Sequence, residues 1–246
     1  MAPRKKQQED ELRVLSIDIG GTGLKASVVD AAGHLLEPKQ RTKTPYPCTP
    51  AVMMEALAEL VAPLPEHNRI AIGFPGVVRD NTVLTAPHFQ TDEWVGFPLA
   101  DAASKRFGGP ALMVNDAEMQ GLAVIRGKGL ELVLTLGTGA GTGLFRSGQL
   151  MPHLELAQHP IYGKKTYNDY IGDAALKEVG RKHWNKRVVR TVDILTNLLH
   201  FDHLFIGGGN TRKLTLEPSA MITIVSNEAG IEGGAALWCS YLDANR

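Results

Sequence analysis

The chain has 246 residues, 43% of them apolar and 21% charged, a make-up that fits one large globular domain or two small lobes. Lys plus Arg balance Asp plus Glu at 26 each, so net charge selects no polyanionic partner and only local patches can. No run approaches ~18 consecutive apolar residues, which argues against a membrane-spanning helix. The basic start Met1-Ala2-Pro3-Arg4-Lys5-Lys6 leads into polar residues rather than the apolar stretch of a secretory signal, so residues 1–11 read as a polar tail. Cys48 and Cys239 lie far apart and match no metal-ligand spacing. Two free thiols in a cytoplasmic protein are the simplest account, and a single disulfide is the alternative.

Leu12 to Ile19 reads as a strand, with Val14, Leu15, Ile17 and Ile19 apolar. The turn Gly20-Gly21-Thr22-Gly23 follows, and then a second strand-like run, Leu24 to Val29. A dinucleotide-binding fold or a P-loop would pass from its glycine turn into a helix, and the GxxxxGK[ST] spacing is absent. After the prolines at 45, 47 and 50, Ala51 to Val61 reads as a helix and Arg69 to Phe74 as a short buried strand. Asp92 to Phe107 mixes aromatics with a helical run. Ala111 to Val114 is another strand, leading through Asn115-Asp116 into a helix of roughly ten residues.

The opening element then returns. Glu131 to Leu136 reads as a strand, Gly137-Thr138-Gly139 opens a turn, and Leu144-Phe145-Arg146 starts the next strand. Two copies of strand, glycine turn, strand suggest a duplicated, two-lobed fold, with coincidence of glycine turns as the bland alternative. Leu204-Phe205-Ile206 runs into Gly207-Gly208-Gly209, and the closing helix, Gly230 to Leu242, carries alanine and glycine on a face suited to close packing.

Glycine turns after buried strands let backbone N–H groups converge, so Gly20, Gly21 and Gly23 in the first turn and Gly137 and Gly139 in the second are candidates to hold phosphates. Thr22 and Thr138 add hydroxyl donors and Lys25 a positive charge. Asp18, ending the first strand, is placed to hold Mg²⁺ through water. A plain hairpin explains one such turn; the pair, with Asp18 before the first, carries more weight. Asn115-Asp116, at a strand-to-helix junction, suits helix capping. It equally suits a carboxylate that takes a proton from an acceptor hydroxyl in phosphoryl transfer.

Six motifs occur in the order found in the ROK family (repressor, open reading frame, kinase): Asp18-Ile-Gly-Gly-Thr22, Phe74-Pro-Gly-Val77, Val114-Asn-Asp-Ala117, Leu136-Gly-Thr-Gly139, Glu155-Leu156 and Ile206-Gly-Gly-Gly209. The chain resembles that family from about residue 12 to residue 238, and most of all its polyphosphate/ATP glucokinase branch, which likewise lacks a cysteine-rich zinc loop. The resemblance implies an α/β protein of the actin-like ATPase/hexokinase (ribonuclease H-like) fold, two lobes around a cleft, and no structural zinc. The expected lobes are 12–115, with the first phosphate turn and the sugar-side residues, and 116–246, with the second turn and the donor site. It further implies Asp116 as catalytic base, Asn115 and Glu155 as sugar ligands, and Gly76 lining the sugar pocket. Gly21, Thr22, Thr138 and Gly139 would cradle donor phosphates, and Gly207, Gly208 and Gly209 would lie against an adenosine. A homodimer is common in that family.

Three positions depart from the family pattern. His88 stands where an Asn usually contacts the sugar. In Glu155-Leu-Ala-Gln158-His159-Pro160, either Gln158 replaces the family histidine or His159 serves from one residue further along, and Pro160 takes the place of a second acid. Neutral drift with glucose retained, a different sugar, and a weakened kinase remain open. The donor is open as well, polyphosphate or ATP. Arg181, Lys182, Lys186, Arg187 and Arg190, with Lys164 and Lys165, form either a polyphosphate track or a solvated helix face, and Trp184 among them reads as packing. A DNA-binding regulator would need a domain before the first strand, where about a dozen residues stand. The expected partners are therefore a small sugar and a phosphoryl donor, without nucleic acid or membrane.

Overall fold

The computed structural model describes residues 11–89, 91–226 and 229–244. Of the expected tail, residues 1–10 lie outside the described residues. Contacts divide the described residues into two compact units, one running to Ala123 and resuming at Gly230, and the other spanning Val124–Ala229.

In the first unit, Val14–Ile19 (β1), Gly23–Val29 (β2), Gln40–Lys43 (β3), Arg69–Phe74 (β4) and Ala111–Asn115 (β7) form one sheet in the order β3-β2-β1-β4-β7. β1, β2 and β3 pair antiparallel, whereas β4 and β7 join in parallel. Val78–Arg79 (β5) and Thr82–Val83 (β6) make a small separate ribbon. Pro50–Val61 (α1) starts where the Thr49 side chain accepts the Val52 N–H and Pro50 presets the first turn. Its buried Met53, Leu57 and Leu60 join Leu15, Ile17, Ile70 and Ile72 in the main core. Leu99–Phe107 (α2) adds Leu99, Ala100 and Ala103 to the same core. Asp116–Leu122 (α3) is seven residues long, shorter than the expected ten.

In the second unit, Leu130–Leu136 (β8), Ala140–Arg146 (β9), Gln149–Leu150 (β10), His203–Gly207 (β13) and Ile222–Ile224 (β14) form a sheet in the order β10-β9-β8-β13-β14. Its first three strands are antiparallel and its last two join in parallel. Both sheets therefore share one plan, a three-strand meander extended by two parallel strands, and the expected duplication is visible in their topology. Between β10 and β13 lie the ribbon Pro160–Tyr162 (β11) and Lys165–Thr166 (β12), the short helix Tyr167–Ile171 (α4), and Asp173–Leu199 (α5). Gly180 (φ 72°, ψ 161°) breaks α5 into two segments. Trp184 is fully buried there and donates from Nε1 to Ile171 O at 2.8 Å, so it packs the helix down as the sequence suggested.

The last helix, Ala229–Ala244 (α6), belongs to the first unit, on the sheet face away from α1. Its glycines allow a close approach. A Cβ on Gly233 would stand 1.8 Å from Met119 O of α3, and one on Gly234 2.4 Å from Ser16 Oγ of β1. Trp238 closes this packing by donating from Nε1 to Ile70 O at 2.9 Å. Both cysteines are free, and burial pushes the Cys48 thiol up to about 11. No helix among the described residues is long and apolar enough to cross a membrane.

Because the clash at position 233 is with main chain, Gly233→Ala forces α6 and α3 apart. Overpacking of this kind costs about 1–3 kcal/mol. The variant is expected to unfold at lower urea than the parent, and an unchanged midpoint would show that α6 is not seated on α3.

Candidate active site

The first turn, Gly20–Gly23, is fixed through its carbonyls. Thr44 Oγ1 donates to Gly20 O at 2.7 Å, and Thr44 N donates to Thr22 O at 3.4 Å. Within the turn, Gly20 N donates to Gly23 O at 3.0 Å. The amides of Gly21 and Thr22 have no acceptor among the described residues. Two adjacent amides left in this way, with the exposed Thr22 hydroxyl beside them, have the donor geometry to receive an anion.

The second turn repeats the arrangement with other partners. Asp173 N, at the start of α5, donates to Gly137 O at 3.0 Å and Thr138 O at 3.3 Å, and Asn210 Nδ2 donates to Gly137 O at 3.1 Å. Asn168 Oδ1 accepts the Ala140 N–H at 2.7 Å. The Thr138 and Gly139 amides have no acceptor among the described residues, and Thr138 is exposed. Gly207–Gly209 lies against this turn. Gly208 has φ +91°, and a Cβ there would sit 2.4 Å from Leu136 O, so glycine is required on both conformational and steric grounds. Sequence order alone gave no sign that Asn168, Asp173 and Asn210 would collect around this turn.

Asp18 and Lys25 face each other across β1 and β2, and Lys25 Nζ lies 2.9 Å from Asp18 Oδ2. The side chains are 17% and 25% exposed, respectively, so the pair is largely sheltered yet reachable. The residue expected to meet Mg²⁺ and the one expected to meet phosphate are thus partners. No group of three or more His, Cys, Asp or Glu side chains suited to a metal occurs among the described residues. A single carboxylate fits Mg²⁺ that keeps most of its water and takes other ligands from phosphate.

Asn115 caps α3. Its Oδ1 accepts the Ala117 N–H at 2.9 Å, and Glu118 Oε2 accepts the Asn115 N–H at 3.0 Å, a complete capping box. Asn115 Nδ2 donates to Gly76 O at 3.1 Å and Phe74 O at 3.4 Å. One side chain therefore both caps α3 and ties Gly76 to the helix that carries Asp116. Asp116 opens α3 with partial exposure, and its Oδ1 accepts the Ala117 N–H at 2.9 Å. Gly73 admits this helix, since a Cβ there would meet Asp116 Cα at 3.3 Å and Met119 Cε at 2.9 Å. A Cβ on Gly76 would lie 2.0 Å from Thr85 O, so that loop also requires glycine.

His88 is half-buried, and its Cβ lies 3.3 Å from where a Cβ on Gly21 would stand. The loop that carries it is held by a cluster of Phe74, Phe89, Trp94 and Phe97, with Trp94 Nε1 donating to Cys48 O at 2.7 Å. In the second unit, Glu155 is partnered by His153, with Nε2 to Oε2 at 3.4 Å. Gln158 ends a short 3₁₀ helix, Leu156–Gln158, and His159 follows it; both are exposed. The histidine paired with Glu155 is His153, two residues before it, which the sequence reading did not single out. Alternate residues on one side of extended chain share a face, and that was the available signal.

In the basic run, Arg187 stacks over Tyr170 and Arg190 over Tyr162, each 4.9 Å from the ring centroid, and the two rings stack at 5.9 Å. Arg181 Nε donates to Lys213 O at 2.9 Å. These arginines are braced by neighbouring groups, with Arg181 and Arg190 still exposed on the surface.

The sequence profile of the ROK family matches residues 14–152. A polyphosphate glucokinase of Mycobacterium tuberculosis is 31% identical over 240 residues, covering 89% of this chain and 88% of that protein. The crystal structure of an inorganic polyphosphate/ATP-glucomannokinase from Arthrobacter sp. strain KM superposes with a TM-score of 0.83 at 29% identity, covering 94% of this chain and 99% of that one. A ROK family glucokinase from Streptomyces griseus, solved with glucose and AMPPNP, shares the fold at a TM-score of 0.74 and 20% identity, over 92% of this chain and 98% of that one.

Replacing Asn115 by Ala removes the helix cap and the tie to Gly76 together. Loss of such a cap typically costs about 0.5–2 kcal/mol. Asn115→Ala is expected to lower the thermal midpoint and to weaken sugar binding. A variant with unaltered sugar affinity would show that the 74–76 loop is positioned by other contacts.

Proposed function

The chain belongs to the ROK family as a sugar kinase, and we propose that it moves the terminal phosphoryl group of polyphosphate or ATP to a hexose hydroxyl, glucose foremost, with Asp116 as the base. The observation that carries this reading is the pair of glycine turns whose carbonyls are tied and whose amides are left for an anion. Phosphoryl transfer asks little covalent chemistry of a protein and much positioning and charge stabilisation.

In this mechanism the amides of Gly21, Thr22, Thr138 and Gly139, with the two threonine hydroxyls, hold donor phosphate oxygens. Lys25 adds a positive charge beside the first turn. Mg²⁺, held by Asp18 through water, would neutralise charge on the transferring group. Glu155, Asn115 and the 76–88 region orient the sugar. Asp116 takes the proton of the attacking hydroxyl as the new O–P bond forms, and the remaining phosphate leaves with the electrons of the broken P–O bond. The half-buried guanidinium of Arg187 and the exposed one of Arg190, braced on tyrosines, support polyphosphate as a donor, since a rigid row of cations suits a long polyanion.

A second reading is a kinase for a hexose other than glucose. It is favoured by His88, Gln158 and Pro160 at expected sugar-contact positions, and by His153 seated on Glu155. Sites that hydrogen-bond a hydroxyl discriminate by up to ~10⁴–10⁵, so such changes can redirect specificity.

Phosphoryl transfer measured over a panel of hexoses, with polyphosphate and with ATP, separates these readings. Binding of sugars without turnover on any of them would remove the kinase assignment. Asp116→Asn is expected to lower turnover by at least ~10²-fold and to leave sugar affinity within a few-fold, the usual scale of base catalysis. A fully active Asn variant would show that another group takes the proton.

A further inference from the structure

The segment after β3 supplies one more partner for the first turn. Tyr46 Oη donates to Gly21 O and lies 3.1 Å from His88 O, so one hydroxyl meets carbonyls from two separate loops. Gly21 and His88 are themselves adjacent, with the His88 Cβ and Cγ each 3.3 Å from the position of a Cβ on Gly21. Thr44, two residues earlier, already holds the carbonyls on either side, those of Gly20 and Thr22. The carbonyls of three successive turn residues are thus received by one short stretch of chain, and Tyr46 alone also reaches the His88 loop.

We propose that Tyr46 is a positioning residue that locks the phosphate turn to the His88 loop, so that the two half-sites for the donor and the sugar are set by one hydroxyl. The proposal rests on the kinase reading for its consequences, but its geometry does not. A phenol has one proton, and two carbonyl oxygens converging on it fix the spacing of the loops that carry them. The Gly21 carbonyl shares a peptide plane with the Thr22 N–H, so holding that carbonyl orients the Thr22 amide, as Thr44 on the Gly20 carbonyl orients the Gly21 amide. The phenol touches neither reacting atom in this account. Its loss should therefore act on substrate affinity more than on the chemical step. Tyr46 is 49% exposed, so removing its oxygen opens no core cavity.

The test is Tyr46→Phe in the full chain, read in two ways. Backbone order parameters from NMR relaxation are expected to fall from about 0.85 towards about 0.6 in both 20–23 and 86–89, while β4 stays rigid. KM for the donor and KM for the sugar are each expected to rise about 2- to 10-fold, the worth of one hydrogen bond, with kcat within about 3-fold. A merely structural tyrosine would lower the melting temperature and leave both KM values alone. Unchanged order in either loop overturns the proposal, and so does a rise in only one KM. If the parent enzyme transfers phosphoryl to no sugar, the kinase reading fails, and the order parameters alone decide the role of Tyr46.

Discussion

In each unit, the geometry of the glycine turn depends on how its carbonyls are satisfied. A main-chain amide left without an acceptor is costly when buried and useful when it faces an anion. In the first turn the acceptors are consumed by Thr44 and Tyr46, at the end of β3; in the second they are consumed by Asp173 and Asn210. The two sets of partners share no sequence pattern, yet each leaves the amides of a threonine and an adjacent glycine unpaired. Two copies of one sheet plan therefore arrive at one chemical device by different side chains.

The position of Asp116 follows from a second constraint, the space given up by glycines. Gly73 admits α3 to the sheet, and Gly233 admits α6 to α3. Asn115 then caps α3 and binds the carbonyls of Phe74 and Gly76, so the proposed base and the sugar-side loop share one anchor. The Asp18–Lys25 pair follows from strand register, because the antiparallel pairing of β1 with β2 sets these two residues directly opposite.

Much of this was legible in the sequence. Strands β1, β4 and β8 and the final helix fall within two residues of their expected bounds, because their apolar patterns end at glycine, proline or asparagine. The repeated strand–turn–strand unit also anticipated the common plan of the sheets. β3 escaped notice because Gln40-Arg-Thr-Lys43 is polar, and a strand at the edge of a sheet needs no apolar face. The return of α6 to the first unit is a long-range contact that periodicity does not encode. Tyr46 and His153 were not singled out because each meets a partner distant in sequence or on the unexpected side of a motif. Asn168 and Asn210 escaped for the same reason. Motif reading finds the turns, and only coordinates find what holds them.

The central claim, that unpaired turn amides receive the donor phosphates, is tested most directly by titrating the ¹⁵N-labelled protein with tripolyphosphate and following its amide resonances. The account predicts that the largest shifts fall on Gly21, Thr22, Thr138 and Gly139. Shifts that leave all four unmoved while tripolyphosphate binds elsewhere would contradict it.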